Sequence, residues 1–241
     1  MSGELPAVLH ARAKLTLSLR VIGLRPDGYH LIDAEMVTLD LADRLELEAG
    51  DGLEVLGAGA FPAVPTGGEN LVSRALAAAG LRAAVRLHKA IPAGAGLGGG
   101  SADAAAILRW AGVTDLAAAA CLGADVPFCV VGGRARVTGV GESVETLPFS
   151  EVAGRAFTLL TAPLHVPTAE VYRAWDRLGG PAGERGNDLE PAALAVEPSL
   201  ALWRDRLAEA TGQPARLAGS GGTWFVQGAY PGEGRLVVRV A

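Results

Sequence analysis

A glycine-rich segment at residues 92–104, PAGAGLGGGSADA, constrains this chain more than any other feature. Five glycines lie between positions 94 and 100, after an apolar strand-like segment at 83–91 and before a helix-like segment at 102–110. Glycine tolerates positive φ and lets a ligand approach the backbone closely. A strand, a glycine loop and a helix in this order direct backbone N–H groups and a helix N-terminus towards an anion. The segment therefore predicts a phosphate-binding loop.

Three kinds of phosphate loop compete for this segment. A Walker A loop requires Lys-Ser or Lys-Thr after its last glycine, and the Ser-Ala found here excludes it. The dinucleotide fingerprint G-x-G-x-x-G is present at Gly94, Gly96 and Gly99. Asp115 stands at about the expected distance from it, but it precedes a helix-like segment instead of ending a strand. A small-molecule kinase loop is the third kind, and a plain glycine-rich turn is the structural alternative to all three.

Composition narrows the class of protein and its partners. A chain of 241 residues, half of them hydrophobic and a fifth charged, can bury the core of one large domain or two small ones. The net charge of −5 favours neither nucleic acid nor a membrane surface as a partner. The first residues lack a signal-peptide pattern, and the apolar runs are too short to span a membrane, so the chain is expected to be cytoplasmic.

Two scarce residue types are informative. Cys121 and Cys129 form neither a disulfide framework nor a metal-ligand pattern, and their apolar surroundings predict reduced, buried thiols. Only two of the 21 basic residues are lysines, Lys14 and Lys89. Because arginine serves elsewhere, a retained lysine indicates a position that requires a compact ammonium group. This argument directs attention to Lys14, which lies in an apolar, strand-like stretch.

The periodicity of apolar residues predicts an α+β fold. Residues 7–48 are predicted to be mainly strands, interrupted by a turn at 23–28 and continuing at 32–39 and 44–48. Further strands are predicted at 83–91, 156–161, 223–227 and 235–240, and a hairpin at 132–147. Predicted helices lie at 70–79, 102–110, 116–122, 168–178, 188–195 and 199–211. Residues 49–67 are expected to form a loop region with one short strand. A domain boundary within 148–154 divides the chain into domains 1–152 and 153–241.

Motifs outside the glycine loop decide between these interpretations of the loop. They are AKL at 13–15, RPDGYH at 25–30, NLV at 70–72, LGADVPF at 122–128, GVGE at 139–142, PT at 167–168, VY at 171–172, NDLE at 187–190 and AGSG at 218–221. In this order, and over about residues 10–226, the chain resembles the GHMP small-molecule kinases. The glycine loop alone indicates only that superfamily, whereas the PDGYH, LGADVPF and NDLE motifs are far more specific.

The resemblance implies a two-domain GHMP-kinase fold with the active site in the interdomain cleft. A ribosomal-S5-like N-terminal domain would carry the glycine loop, and an α/β-plait-like domain would follow it. The implied reaction is the ATP-dependent phosphorylation of a hydroxyl of a cytidylyl diphosphate sugar alcohol, with Mg²⁺ as cofactor. ATP and this small molecule are the expected partners, and the chain is expected to be a monomer or a weak homodimer.

The resemblance also assigns individual roles. Asp125 is the expected catalytic base, with Lys14 beside it. The expected ATP-binding residues are Asn70, Pro92, Gly94, Ala95, Gly96, Leu97, Gly98, Gly99, Gly100 and Ser101. The expected substrate-binding residues are Thr16, Tyr29, His30, Thr168, Tyr172, Gly219 and Ser220. Direct metal ligation by the protein is not expected, while Ser101 or Asp103 could reach the metal through water.

Each assignment has a structural alternative. Asp125, Asn70, Ser101 and Thr168 are all compatible with helix capping. Asp103 is expected in the first turn of its helix, where a carboxylate favours the helix dipole. The remaining alternatives are a solvent-facing edge strand for Lys14, hairpin packing for Tyr29, packing against Trp175 for Tyr172, and a helix start at Asn187 and Asp188.

Several positions depart from the family pattern, and other activities stay open. Arg12 replaces a usual proline, Thr16 a common asparagine near the substrate, and Ala102 a frequent second serine; the chain is also short around 49–67 and after Gly228. The competing functions are another GHMP activity of homoserine or mevalonate type, a nucleotide-binding protein without catalysis, and a dinucleotide-dependent oxidoreductase. The PDGYH motif argues against the first of these, and the presence of Lys14 and Asp125 argues against the second.

Overall fold

The computed structural model describes residues 3–57 and 64–241, and it contains two β-sheets with helices packed against them. The larger sheet has six strands: β1 (Ala7–Leu24), β2 (His30–Glu48), β3 (Gly52–Leu56), β4 (Ala84–His88), β5 (Arg134–Gly139) and β6 (Ser143–Thr146). The first half also holds helices α1 (Leu71–Ala78), α2 (Gly99–Trp110), α3 (Leu116–Ala120) and α4 (Val126–Val131).

Strand β2 organises the larger sheet. It pairs antiparallel with β1 along nearly its whole length, with β5 through its first half and with β4 through its last five residues. Two separate strands were expected here, at 32–39 and 44–48, and that prediction is wrong because β2 runs unbroken over 19 residues. The β1–β2 pairing contains register shifts, the first between Arg12 and Lys14, and the two strands stay paired across them.

Helix α4 is the main element that periodicity does not predict. Its sequence, VPFCVV, contains Pro and three β-branched residues, which favour other structures. Pro127 is tolerated because it stands in the first turn, where its missing N–H would have no intrahelical partner. Helix α2 also differs from the prediction, since it begins at Gly99 and not at residue 102, after Gly98 in a left-handed conformation (φ +69°).

The second half contains a four-stranded sheet in the order β10–β7–β9–β8. Its elements are β7 (Ala156–Thr161), α5 (Thr168–Arg177), α6 (Glu190–Val196), α7 (Leu200–Thr211), β8 (Arg216–Leu217), β9 (Thr223–Gln227) and β10 (Arg235–Arg239). A short 3₁₀ turn (Phe149–Glu151) precedes β7, within the segment predicted to hold the domain boundary. The predicted strands and helices of this half are confirmed to within a few residues, except that β8 was not expected.

Backbone hydrogen bonds join the two halves. Leu19 N–H donates to Gly186 O (2.9 Å), and Asp188 N–H donates to Leu19 O (2.9 Å). At the other end, Ala241 N–H donates to Thr38 O (3.1 Å). These contacts fix β1 and β2 against the second half, so side chains from both halves can line one cleft.

Other expectations meet mixed outcomes. The short strand expected within 49–67 is β3, which pairs parallel with β4, while the part of that loop at 58–63 lies outside the described residues. Cys129 is a buried free thiol as predicted, but Cys121 is exposed, because α3 is a single short helix with one buried residue. Among the described residues, none of the helices is long and apolar enough to cross a membrane.

Candidate active site

A cavity of about 650 Å³ lies between the two halves. It collects side chains from β1, the β1–β2 turn, the glycine loop, α5 and the turn between β8 and β9. The predicted site residues that line it are Lys14, Thr16, Tyr29, His30, Gly96, Ser101, Asp125, Thr168, Tyr172, Gly219 and Ser220. The structure therefore brings together the predicted catalytic pair, two residues of the glycine loop and the whole predicted substrate set.

Lys14 and Asp125 meet in the lining of the cavity. Lys14 Nζ lies 3.3 Å from Asp125 Oδ2 and donates to Thr16 Oγ1 at 3.0 Å. Lys14 is only 4 % exposed, which rules out the solvent-facing alternative. Asp125 occupies the N-cap position of α4, yet within the described part of the chain its side chain makes no capping hydrogen bond. Its carboxylate is therefore available to Lys14 and to a proton donor in the cavity.

Gly98 makes room for the lysine, and Gly219 lies beside it. A Cβ atom on Gly98 would lie only 2.8 Å from Lys14 Cγ, whereas one on Gly219 would lie at an ordinary contact distance of 3.5 Å from Lys14 Nζ. The backbone of Lys14 is held as well, because its N–H donates to Leu97 O at 3.0 Å. The glycine loop and the second glycine turn thus enclose the lysine stem, and the ammonium group reaches Asp125 with little freedom to move.

The glycine loop packs directly on the backbone of the second glycine turn, residues 218–222. Gly96 has φ +79°, and a Cβ atom on it would lie 2.4 Å from Ala218 O. A Cβ atom on Gly221 would lie 2.5 Å from Gly96 N. Only glycine fits such a backbone-to-backbone contact. The donors on this side of the cavity are therefore mainly backbone N–H groups and the start of α2.

Other predicted ATP-binding residues lie outside the described lining of the cavity: Asn70, Pro92, Gly94, Ala95, Leu97, Gly98, Gly99 and Gly100. Ala95 and Leu97 are buried supports of the loop. Asn70 caps α1: its Oδ1 accepts from Val72 N–H at 2.8 Å, and its Nδ2 donates to Pro65 O at 2.6 Å. The capping alternative for Asn70 is thus confirmed.

The helix-cap and first-turn expectations for Ser101 and Asp103 are wrong. Because α2 begins at Gly99, Gly98 is the N-cap residue and Ser101 is the third residue of the helix. Asp103 belongs to the second turn, is 2 % exposed, and its Oδ2 accepts a hydrogen bond from Lys89 at 2.8 Å. Ser101, in contrast, lines the cavity.

Aromatic side chains line the opposite end of the cavity. Tyr29 is 60 % exposed, so hairpin packing does not account for it. His30 Nε2 lies 2.8 Å from Asp176 Oδ1, and its ring centroid is 4.8 Å from that of Tyr172. Burial, aided by the charge of Asp125, raises the pKa of Tyr172 to about 12, so its phenol stays neutral. Trp175 meets the His30 ring edge-on at 5.6 Å.

Two polar links hold the second glycine turn in place. Thr168 and Ser220 share a hydroxyl hydrogen bond of 2.9 Å, while Pro167, and not Thr168, occupies the N-cap position of α5. Asn187 Nδ2 donates to Leu217 O (2.9 Å) and to Gly219 O (2.7 Å). Asn187 was expected only to start a helix. Its spacing to AGSG carries no signal, because the two segments are brought together only by the tertiary fold.

The fold and this cavity define a small-molecule kinase of the GHMP class. A family model described as "GHMP kinases N terminal domain" matches residues 70–133. A homoserine kinase structure from Cytophaga hutchinsonii, 20 % identical and covering 99 % of this chain and 96 % of that chain, has a TM-score of 0.63 and shares the fold.

Relatives with higher identity define the family more narrowly. The 4-diphosphocytidyl-2-C-methyl-D-erythritol kinase of Pelotomaculum thermopropionicum is 41 % identical, over 89 % of this chain and 86 % of its own length. The enzyme of that name from Cereibacter sphaeroides is 39 % identical, over 89 % of this chain and 87 % of its own length. A crystal structure of 4-(cytidine 5'-diphospho)-2C-methyl-D-erythritol kinase is 35 % identical to this chain. It covers 93 % of this chain and 91 % of its own, with a TM-score of 0.73. The chain belongs to the 4-diphosphocytidyl-2-C-methyl-D-erythritol kinase family.

Proposed function

We propose that this protein uses ATP to phosphorylate the 2-hydroxyl of 4-diphosphocytidyl-2-C-methyl-D-erythritol, a step of the non-mevalonate route to isoprenoids. One observation carries the proposal: a buried Lys14–Asp125 pair lies in a cavity that has a glycine loop on one side and an aromatic pocket on the other. Family membership supports the same reaction. The protein is proposed to act in the cytoplasm, as a monomer or a weak homodimer.

Asp125 is the proposed base. Its carboxylate takes the proton of the substrate hydroxyl as the oxygen attacks the γ-phosphorus of ATP, and the bond from that phosphorus to the ADP oxygen breaks. Lys14 places a fixed positive charge 3.3 Å from Asp125, beside the transferring phosphoryl group. Lys14 also donates to Thr16 Oγ1, so Thr16 can fix the position of the ammonium group.

The glycine loop is the proposed binding site for the ATP phosphates. Gly96 and Ser101 line the cavity, and because α2 begins at Gly99, the free N–H groups and the helix dipole of its N-terminus lie beside this lining. Backbone donors of this kind suit a protein of net charge −5, because they attract phosphate locally without an overall positive field.

Magnesium is proposed as the cofactor that neutralises charge on the ATP phosphates. Within residues 3–57 and 64–241, no group of three or more His, Cys, Asp or Glu side chains could hold a metal ion. Ser101 fits a water-mediated contact, because it lines the cavity, carries a hydroxyl group, and magnesium prefers oxygen. Asp103 does not fit, because Lys89 engages its carboxylate beneath the loop.

The aromatic end is the proposed site for the cytosine base. Tyr29 and Tyr172 offer faces for stacking, and His30 offers polar atoms to the base edge. The second glycine turn, through Gly219 and Ser220, faces the diphosphate.

The decisive experiment is an ADP-release assay with purified protein, ATP, magnesium and 4-diphosphocytidyl-2-C-methyl-D-erythritol. We expect ADP and phosphorylated product in equal amounts. Homoserine and mevalonate, tested at the same concentrations, should release no ADP above background. Release with either of these, or none with the cytidylyl substrate, would refute the proposal.

A further inference from the structure

Three charged side chains are buried beneath the glycine loop, and the proposed reaction uses none of them. Lys89 Nζ donates to Asp103 Oδ2 at 2.8 Å and to Asp43 Oδ2. The exposed fractions of the three side chains are 5 % for Lys89, 3 % for Asp103 and 0 % for Asp43. We call these three residues the buried cluster.

The buried cluster connects both ends of the loop to the central strand. Asp43 lies on β2, and its Oδ1 accepts the N–H groups of Ala90 (2.6 Å) and Ile91 (2.8 Å), which lead into the loop. Asp103 lies on α2, which leaves the loop. A single ammonium group, that of Lys89, bridges the two carboxylates and so joins the entry of the loop to its exit.

The first residue of α2 lies against the cluster. A Cβ atom on Gly99 would lie 3.1 Å from Lys89 Nζ and 3.1 Å from Ile91 Cγ2. The ammonium group of Lys89 therefore packs close to the backbone at the start of α2, where the proposed phosphate donors are. Packing of this kind can couple the position of the cluster to the shape of the loop.

Stability alone is a poor reason to keep such a cluster. Buried ion pairs rarely stabilise a fold more than well-packed apolar side chains of similar volume would. Two carboxylates share one ammonium group here, and Asp103 Oδ1 has no partner among the described residues. What the cluster does supply is geometry, because charged hydrogen bonds are short and directional.

We propose that Asp43, Lys89 and Asp103 are positioning residues that hold the glycine loop in its ATP-binding shape. They act through the backbone of the loop and not through contact with the phosphates. The inference rests on the assignment of ATP to the loop in the proposed function.

The test compares ATP binding and turnover in Lys89→Met, Asp103→Leu and Asp103→Asn. Dissociation constants for ATP are measured by calorimetry, without acceptor, and kcat and both KM values by ADP release. Lys89→Met and Asp103→Leu should weaken ATP binding about tenfold, since each removes a charged hydrogen bond beneath the loop. Asp103→Asn keeps an acceptor for Lys89 and should weaken ATP binding only about threefold. The KM for the acceptor should stay within twofold of that of the wild type.

Glu190→Gln is the matched control. Glu190 is another buried carboxylate whose pKa is raised by burial; Arg185 holds its Oε1 at 2.8 Å, and its Oε2 has no partner in the described part of the chain. It lies on α6, and its carboxylate is held by Arg185, not by a residue of the loop. This variant should lose stability while its ATP dissociation constant stays unchanged.

The outcomes separate the inference from the proposed function. Variants that unfold at lower temperature but bind ATP as tightly as the wild type would overturn the inference. If Lys89→Met and Asp103→Leu do not fold, the dissociation constant of Asp103→Asn decides, and a value equal to that of the wild type overturns it. A wild-type chain that binds ATP yet phosphorylates no cytidylyl acceptor would refute the proposed function and leave the binding comparison valid.

Discussion

The two ends of the cavity are built in opposite ways. The glycine loop presents backbone atoms, packs against a second backbone turn and covers a buried ion cluster. The aromatic end presents side chains, of which Tyr29 is 60 % exposed. A polyanionic phosphate chain can be held by N–H groups that every residue carries, whereas a particular base requires particular side chains. The first end therefore tolerates very little substitution, and the second is where specificity can vary.

Asp125 lies between the two ends, and its substitution should have the largest effect on activity. Asp125→Asn should lower kcat about a thousandfold with little change in either KM, because the amide cannot accept the hydroxyl proton. Initial rates of ADP release measure this. Asp115→Asn, in which the N-cap residue of α3 is changed, is the control and should keep kcat near the wild-type value. Equal rates for Asp125→Asn and the wild type would exclude Asp125 as the base.

The backbone end is tested by Gly96→Ala. Positive φ and a Cβ atom 2.4 Å from Ala218 O should cost about 2–4 kcal/mol of unfolding free energy and raise the KM for ATP at least about thirtyfold. Urea unfolding and ADP release measure the two effects. Gly80→Ala is matched for φ (+66°) but has nothing within 4 Å of the added Cβ, so it should cost about 1 kcal/mol and leave the KM for ATP unchanged. Identical KM values for both variants would contradict the contact argument.

The side-chain end is tested by Tyr29→Ala and Tyr29→Phe. Loss of one stacking face should raise the KM for the cytidylyl acceptor about tenfold in the alanine variant, while phenylalanine should keep it within about twofold. The KM for ATP should not move in either. Leu24, equally exposed near the same turn, provides the control Leu24→Ala, for which no change is expected. An alanine variant with a normal acceptor KM would remove Tyr29 from the base site.

The smallest expected effect concerns the buried cluster and pH. Burial, opposed by Lys89 and reinforced by Asp43, raises the pKa of Asp103 from 3.8 to about 7. The folded chain therefore holds this proton more tightly than the unfolded chain does, and the stability gained from it is lost as pH rises through about 7. As the pH is raised from 5.5 to 8, the free energy of unfolding of Asp103→Asn, measured with urea, should increase relative to that of the wild type by about 1–2 kcal/mol.

Asp33→Asn is the control for this pH series. A hydrogen bond from Arg136 lowers the pKa of Asp33 below its ordinary value, so this carboxylate stays ionised throughout the range. Its difference from the wild type should be constant with pH. A difference for Asp103→Asn that is equally flat would show that Asp103 does not titrate near neutrality.

The sequence allowed the glycine loop, the proximity of Lys14 to Asp125 and most elements of the second half to be predicted, because each is a local pattern or a motif. It did not allow α4 to be predicted, since tertiary packing overrides the weak helix preference of VPFCVV. It also gave no indication of Asp43. That residue acts on Lys89 and Ile91, and only the pairing of β2 with β4 brings them together. The scarcity of lysine indicates Lys14 and Lys89 alike, but only the fold shows that Lys89 contacts Asp43 and Asp103.

The enclosure of Lys14 has a consequence for the order of synthesis. Lys14 is made 205 residues before Gly219 (219 − 14), whose turn lies against its ammonium group. Contacts between segments so distant in sequence form late, because a long loop must close first. A nascent chain can therefore complete its first sheet on the ribosome and still lack a competent phosphoryl-transfer site. The site is complete only when the segment that contains Gly219 has left the ribosome and docked.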